Sequence, residues 1–188
     1  MTRSNGGALL GLFGLFERLS VAMAYISGAL LTLLSFFIAA DVLGRGSGKF
    51  YSGATDEISG FVMTMAVTWA LAYTLTIDKH VRVDLLLGVV SAPLRRLLDW
   101  IALLLLTAFA GLLAVNSWGL ALESFDIGAL SPSILQVPLG IPQSVMAIGF
   151  STLAAQSFLT LLVATFDPGG LARARAEESK AAPTQYDV

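Results

Sequence analysis

The uncharged run from Ile127 to Phe166, IGALSPSILQVPLGIPQSVMAIGFSTLAAQSFLTLLVATF, decides how often this chain crosses a membrane. A helical span needs about 20 apolar residues, each rising about 1.5 Å, so the run is too long for a single crossing. It is also broken by Pro132, Pro138 and Pro142. Proline lacks the N–H that a helix interior uses but fits the first turn, which predicts a loop over residues 123–141 and a helix from Pro142 to Phe166. The loop, ESFDIGALSPSILQVPLGI, has too many prolines for regular helix, and its apolar content sets it against protein or lipid.

Working outward, the stretches Leu19 to Ala40, Ile58 to Ile77 and Trp100 to Leu122 also carry no Asp, Glu, Lys or Arg. Of the 188 residues, 56% are hydrophobic and only 13% charged, against roughly 25% charged in soluble domains. The mean hydropathy is +0.79. These features predict an all-α integral membrane protein with four transmembrane helices, over about 19–43, 57–77, 98–122 and 142–166, forming one membrane domain across 19–166. Residues 1–18 read as an interfacial or extended start to the first span, because Glu17 and Arg18 interrupt the apolar stretch that a cleaved leader ending at Ala22-Met23-Ala24 would need. Residues 167–188 read as a polar, disordered tail.

Basic residues set the orientation. Arg3 and Arg18 precede the first span, Lys79, Arg82, Arg95 and Arg96 lie between the second and third, and Arg173, Arg175 and Lys180 follow the fourth; only Arg45 and Lys49 fall on the other side. Lysine and arginine in short loops favour the cytoplasm, which places both termini and the loop from Asp78 to Asp99 inside. The same rule places the 41–57 and 123–141 connections outside. With no cysteine, neither a disulfide framework nor a thiolate metal site is possible. A net charge of −2 with no basic patch excludes nucleic acid as a partner.

The span interiors carry little chemistry. A chain that places a charge at the bilayer centre usually uses it for a proton, ion or substrate, and no such charge is found here. Asn116 and Gln156 are the most polar intramembrane side chains, and both are expected to make helix-to-helix hydrogen bonds. Ser27-Gly28-Ala29, and Gly111 with Ala114, would let helices approach closely. A single histidine, His80, excludes an H-E-x-x-H zinc site and bis-histidine haem ligation, and there is no G-x-S-x-G elbow or P-loop. The expectation is a chain that is not an enzyme, with no catalytic residues, no metal and no cofactor.

Two charged clusters remain. SGATDEISG, Ser52 to Gly60, places Thr55, Asp56 and Glu57 at the start of the second span, where a threonine cap and two carboxylates complement the positive end of the helix dipole. Asp56 and Glu57 could alternatively meet a partner at the outer face. KHVRVDLL, Lys79 to Leu86, opens a connector whose residues 79–97 have room to lie along the inner interface, with arginines reaching toward headgroups. Asp84 is within reach of His80 or Arg82 there, and Asp99 follows Arg95 at a helical ion-pair spacing.

The acidic opening DEIS (Asp56 to Ser59), Trp69 in the same span, KHVRVDLL, DVLGR (Asp41 to Arg45) and SPSILQVPLGIPQS (Ser131 to Ser144) together resemble the small, DctQ-type membrane subunit of tripartite ATP-independent periplasmic (TRAP) transporters, over roughly residues 15 to 166. The connector GRGSGKFYSGATDE is more glycine-rich than is usual in that family. The resemblance implies an accessory or scaffold subunit, in a bacterial inner membrane, of a sodium-coupled secondary transporter for an organic acid, a carboxylate. Its implied partners are a large multi-span permease subunit and a periplasmic substrate-binding protein, within membrane lipid. Asp56, Glu57, Trp69, His80, Arg82 and Asp84 become the candidates for subunit contact or structural support. Two rivals predict other features. A stand-alone oligomeric transporter or channel subunit would need an intramembrane charge or polar face, and a membrane electron-transfer subunit would carry a chromophore.

Overall fold

The computed structural model describes residues 3–48, 52–76 and 92–166. The described residues form four helices: α1 (Arg3–Ser47), α2 (Thr55–Thr76), α3 (Ala92–Asp126) and α4 (Gly140–Phe166). All four are long and apolar enough to cross a membrane, so the chain is a multi-pass all-α membrane protein. Residues 3–18 and the first span make one unbroken helix of 45 residues. At about 1.5 Å per residue this exceeds the ~30 Å hydrocarbon core about twofold. His80, Arg82, Asp84 and most of the expected interfacial segment lie outside the described residues, as does the Arg95 side chain; residues 92–97 form the first turns of α3.

Helix α4 is the central post. Its most apolar window is 44% buried, against 17% for each of the other three, and it packs against all of them. Each of the chain's three tryptophans reaches it from a neighbour. Trp69 Nε1 on α2 donates to the Val145 carbonyl (2.9 Å), Trp118 Nε1 on α3 to Ser151 Oγ (3.1 Å), and Trp100 Nε1 on α3 to Thr165 Oγ1 (3.0 Å). An indole contributes a large apolar body and one N–H that needs an acceptor, and the α4 hydroxyls and carbonyl supply one at three depths.

The close approach of α2 to α4 requires glycine at 149. A Cβ there would lie 2.8 Å from Thr68 Cβ and 2.9 Å from the Thr68 backbone carbon, and backbone cannot yield as a flexible side chain can. Ala72 and Leu75 of α2, Leu103 and Ala110 of α3, and Leu153 and Leu161 of α4 close one apolar cluster. Phe13 of α1 closes a second against Leu159 and Val163. Along α1 the buried side chains Phe13, Ser20, Ser27, Leu34 and Asp41 recur every seventh residue. This is a coiled-coil-like seam in which two serines allow close backbone approach while satisfying their hydroxyls on Phe16 and Met23 carbonyls.

The α3–α4 connection avoids helix, as its prolines require. It folds back on itself, with Ser131 N–H on the Val137 carbonyl and Leu139 N–H on the Ala129 carbonyl (both 2.9 Å) around a Leu130–Pro138 bridge. Helix α4 starts at Gly140, two residues before Pro142, which occupies the first turn where its missing N–H costs nothing.

Candidate functional site

A cluster of hydrogen-bonded polar groups lies at one end of the bundle, where α1 and α3 finish and α2 and α4 begin. Asp41 is fully buried there, nearly two turns before the end of α1. A buried carboxylate needs partners on both oxygens. Arg45, four residues on, donates through Nε (2.8 Å) and a terminal nitrogen (2.6 Å) to Oδ2, while the Ser52 backbone N–H donates to Oδ1 (2.9 Å). Gly48, in the left-handed conformation (φ 65°), ends α1 just before the α1–α2 connection, and Gly53 (φ 64°) turns the chain again before α2. Asp41 thereby ties the end of α1 to the entry of α2, across the glycine-rich connector.

At the start of α2 the Thr55 hydroxyl pairs with Ser52 Oγ (3.0 Å) instead of reaching forward onto the helix N–H groups, and Ser52 Oγ also accepts the Ala54 N–H (3.4 Å). Asp56 and Glu57 fill the first turn, as the dipole favours. Their environments differ. Asp56 is exposed, whereas Glu57 is half-buried and accepts a hydrogen bond on Oε2 from Ser133 Oγ, in the α3–α4 loop. Since Ser133 gives its one proton to Glu57, Ser131 Oγ must be the donor in the 3.0 Å contact between the two serines, and the Leu135 N–H completes the shell (3.1 Å). The second Glu57 oxygen, Oε1, is buried with no partner among the described residues.

The sequence candidates thus separate. Glu57 binds the α3–α4 loop, Asp56 faces outward, and Trp69 lies three turns deeper on α2 where it fixes α4. His80, Arg82 and Asp84 are outside the described residues. The residue that sequence reasoning passed over is Asp41, whose signal was present in the Asp41–Arg45 helical spacing. The two intramembrane amides also depart from expectation. Asn116 Nδ2 donates to the Leu112 carbonyl of its own helix (2.7 Å) and its side chain faces outward. Gln156 is completely buried, yet neither Oε1 nor Nε2 has a partner among the described residues.

What this arrangement does chemically is hold helices together. Asp41 joins α1 to the α2 entry, Glu57 joins α2 to the α3–α4 loop, and Trp69, Trp100 and Trp118 join α2 and α3 to α4. Comparison with curated proteins and with solved structures returns no match. Residues 34–166 match the family described as "Tripartite ATP-independent periplasmic transporters, DctQ component". That match takes in both polar ties and all of α2, α3 and α4, and the chain therefore belongs to the DctQ family, the small membrane subunits of TRAP transporters.

Proposed function

We propose that this chain scaffolds a large multi-span permease subunit in a sodium-coupled importer of an organic carboxylate, served by a periplasmic substrate-binding protein. It lies in a bacterial inner membrane with both termini in the cytoplasm, an orientation supported by nine Lys and Arg on one side against two on the other. The observation that carries the reading is the state of Asp41. It is the one carboxylate among the described residues that is fully buried, and Arg45 and Ser52 occupy both of its oxygens. Asp41 is thereby engaged inside the chain as a structural tie, and residues 19–40, 58–77, 100–122 and 127–166 contain no Asp, Glu, Lys or Arg, which supports placing substrate and ion chemistry in the partner. The rival stand-alone transporter would need an ionisable group within the spans.

In this reading KHVRVDLL is an inner-face element that fixes the chain against the large subunit through a polar network of His80, Arg82 and Asp84. Asp56, exposed in the first turn of α2, is available to a partner on the opposite face. Unchanged assembly and uptake in both Arg82→Ala and Asp84→Ala would remove the inner-face element from the account. The whole reading is tested by reconstitution into proteoliposomes. The chain alone should give no carboxylate uptake under an imposed sodium gradient, and uptake should appear when the large subunit and binding protein are added. Uptake by this chain alone would replace the scaffold with a self-contained transporter.

A further inference from the structure

Helix α3 has two faces with the same seven-residue period, and only one of them is occupied. Leu103, Ala110, Ser117 and Ser124 are buried on the first. On the other face Leu98, Leu105, Leu112 and Gly119 alternate with Ala102, Phe109, Asn116 and Glu123, and every one of these eight residues is exposed. Apolar side chains on such a face need only lipid. Asn116 needs more, because its carboxamide oxygen and one of its two amide protons have no partner among the described residues, and hydrocarbon offers none. Asn116 lies seven residues, about 10 Å of helix rise, inward of Glu123. Trp118, two residues on, donates to Ser151, near the midpoint of α4. One turn away, a Cβ built on Gly119 would meet nothing within 4 Å, so the surface there is open to a neighbouring backbone.

We infer that this face of α3 is the docking seam for one transmembrane helix of the large permease subunit, with a hydrogen-bonding side chain opposite Asn116 and its backbone close to Gly119. The inference rests on the scaffold reading above and specifies where that scaffold makes contact. A polar residue at one position of an otherwise apolar seam fixes register and partner, since any other alignment leaves the amide unpaired. Glu123 argues against a second copy of this chain as the occupant. A parallel pair through this seam would bring two exposed Glu123 carboxylates together at the membrane surface, whereas a partner helix ending in Lys or Arg would complement it.

The test uses the full chain in its native membranes, with a photo-crosslinking amino acid at Leu112 and, as control, at the equally exposed Leu33 of α1. Crosslinking from position 112, and not from 33, into a transmembrane helix of a large multi-span protein, with a Ser, Thr, Asn or Gln beside the crosslinked residue, is the expected result. In parallel, Asn116→Leu should weaken co-purification of that protein about 3- to 30-fold, the equivalent of one intramembrane hydrogen bond, and Asn116→Gln should retain most of it. Gly119→Leu should weaken it at least as much, with the detergent melting temperature of the isolated chain unchanged in all three variants. If the unmodified chain captures the large protein but position 112 reaches only lipid or a second copy, and Asn116→Leu binds as tightly, the seam is overturned while the scaffold stands. If the unmodified chain captures no large protein, both fall together.

Discussion

Gln156 and Asp41 are both polar and fully buried, and they are opposites in how that burial is satisfied. Asp41 has donors on each oxygen; Gln156 has none on either amide atom. Leaving a buried polar group unpaired costs about 1–3 kcal/mol, so Gln156→Leu, which keeps much of the volume and removes the unpaired atoms, should stabilise the isolated chain by that order. Thermal unfolding in detergent checks it, and a fall in stability would reveal a bridging water or other partner that the amide relies on. For Asp41→Ala the sign reverses. Removing the carboxylate orphans the Ser52 N–H and should cost about 1–3 kcal/mol. Arg45→Ala should cost under about 1 kcal/mol, because the Arg45 side chain is 47% exposed and its ion pair is partly screened. The ratio of the two losses separates the backbone tie from the ion pair. At this scale the Asp41–Arg45 spacing held a legible signal that the reading of the sequence passed over. The helix-to-helix hydrogen bonds expected of Asn116 and Gln156 are not found among the described residues, because their surroundings depend on which way α3 and α4 are rotated.

At the scale of elements, the α2–α4 crossing is the contact least able to accommodate change. Gly149→Val places atoms against the Thr68 backbone and should destabilise the bundle by about 1–3 kcal/mol, the usual range for overpacking. Trp69→Phe retains the ring but loses the indole N–H bond to Val145, a loss of about 1 kcal/mol. Both are measurable as shifts in the detergent unfolding midpoint. Equal tolerance of Ala and Val at position 149 would contradict the close crossing. The helices themselves were legible because hydrocarbon enforces them: a charge-free run of about 20 residues has one stable form in a bilayer. Pro132, Pro138 and Pro142 likewise placed the break before α4 to within two residues of Gly140. The fold-back of residues 129–139 was not legible. Its pairing of Ser131 with Val137 brings together residues with no alternating pattern, and its tie to Glu57 is a contact across 76 positions.

For the molecule as a whole, four spans could be counted from composition, but the central place of α4 could not, since all four runs are apolar throughout. Its marks are distributed: Gly149 on α4 itself, and the indoles of Trp69, Trp100 and Trp118 on its neighbours. With α4 inside, the surfaces of α1 and α3 carry large exposed side chains such as Phe36, Leu105, Phe109 and Val115, available to lipid or a partner. Orientation has a direct check in a chain without cysteine. A cysteine introduced at Gly48 should react with a membrane-impermeant thiol reagent in intact spheroplasts, and one introduced at Ala176 only after permeabilisation. The reverse pattern would invert the topology and place KHVRVDLL on the outer face. The central claim is that this subunit holds a larger one. The measurement that tests it most directly is gentle detergent purification of the tagged full chain from its native membranes, with mass spectrometry of what remains bound. The account predicts a large multi-span membrane protein in stoichiometric amount. A chain recovered alone, or only with copies of itself, under conditions that preserve other membrane complexes, would contradict it.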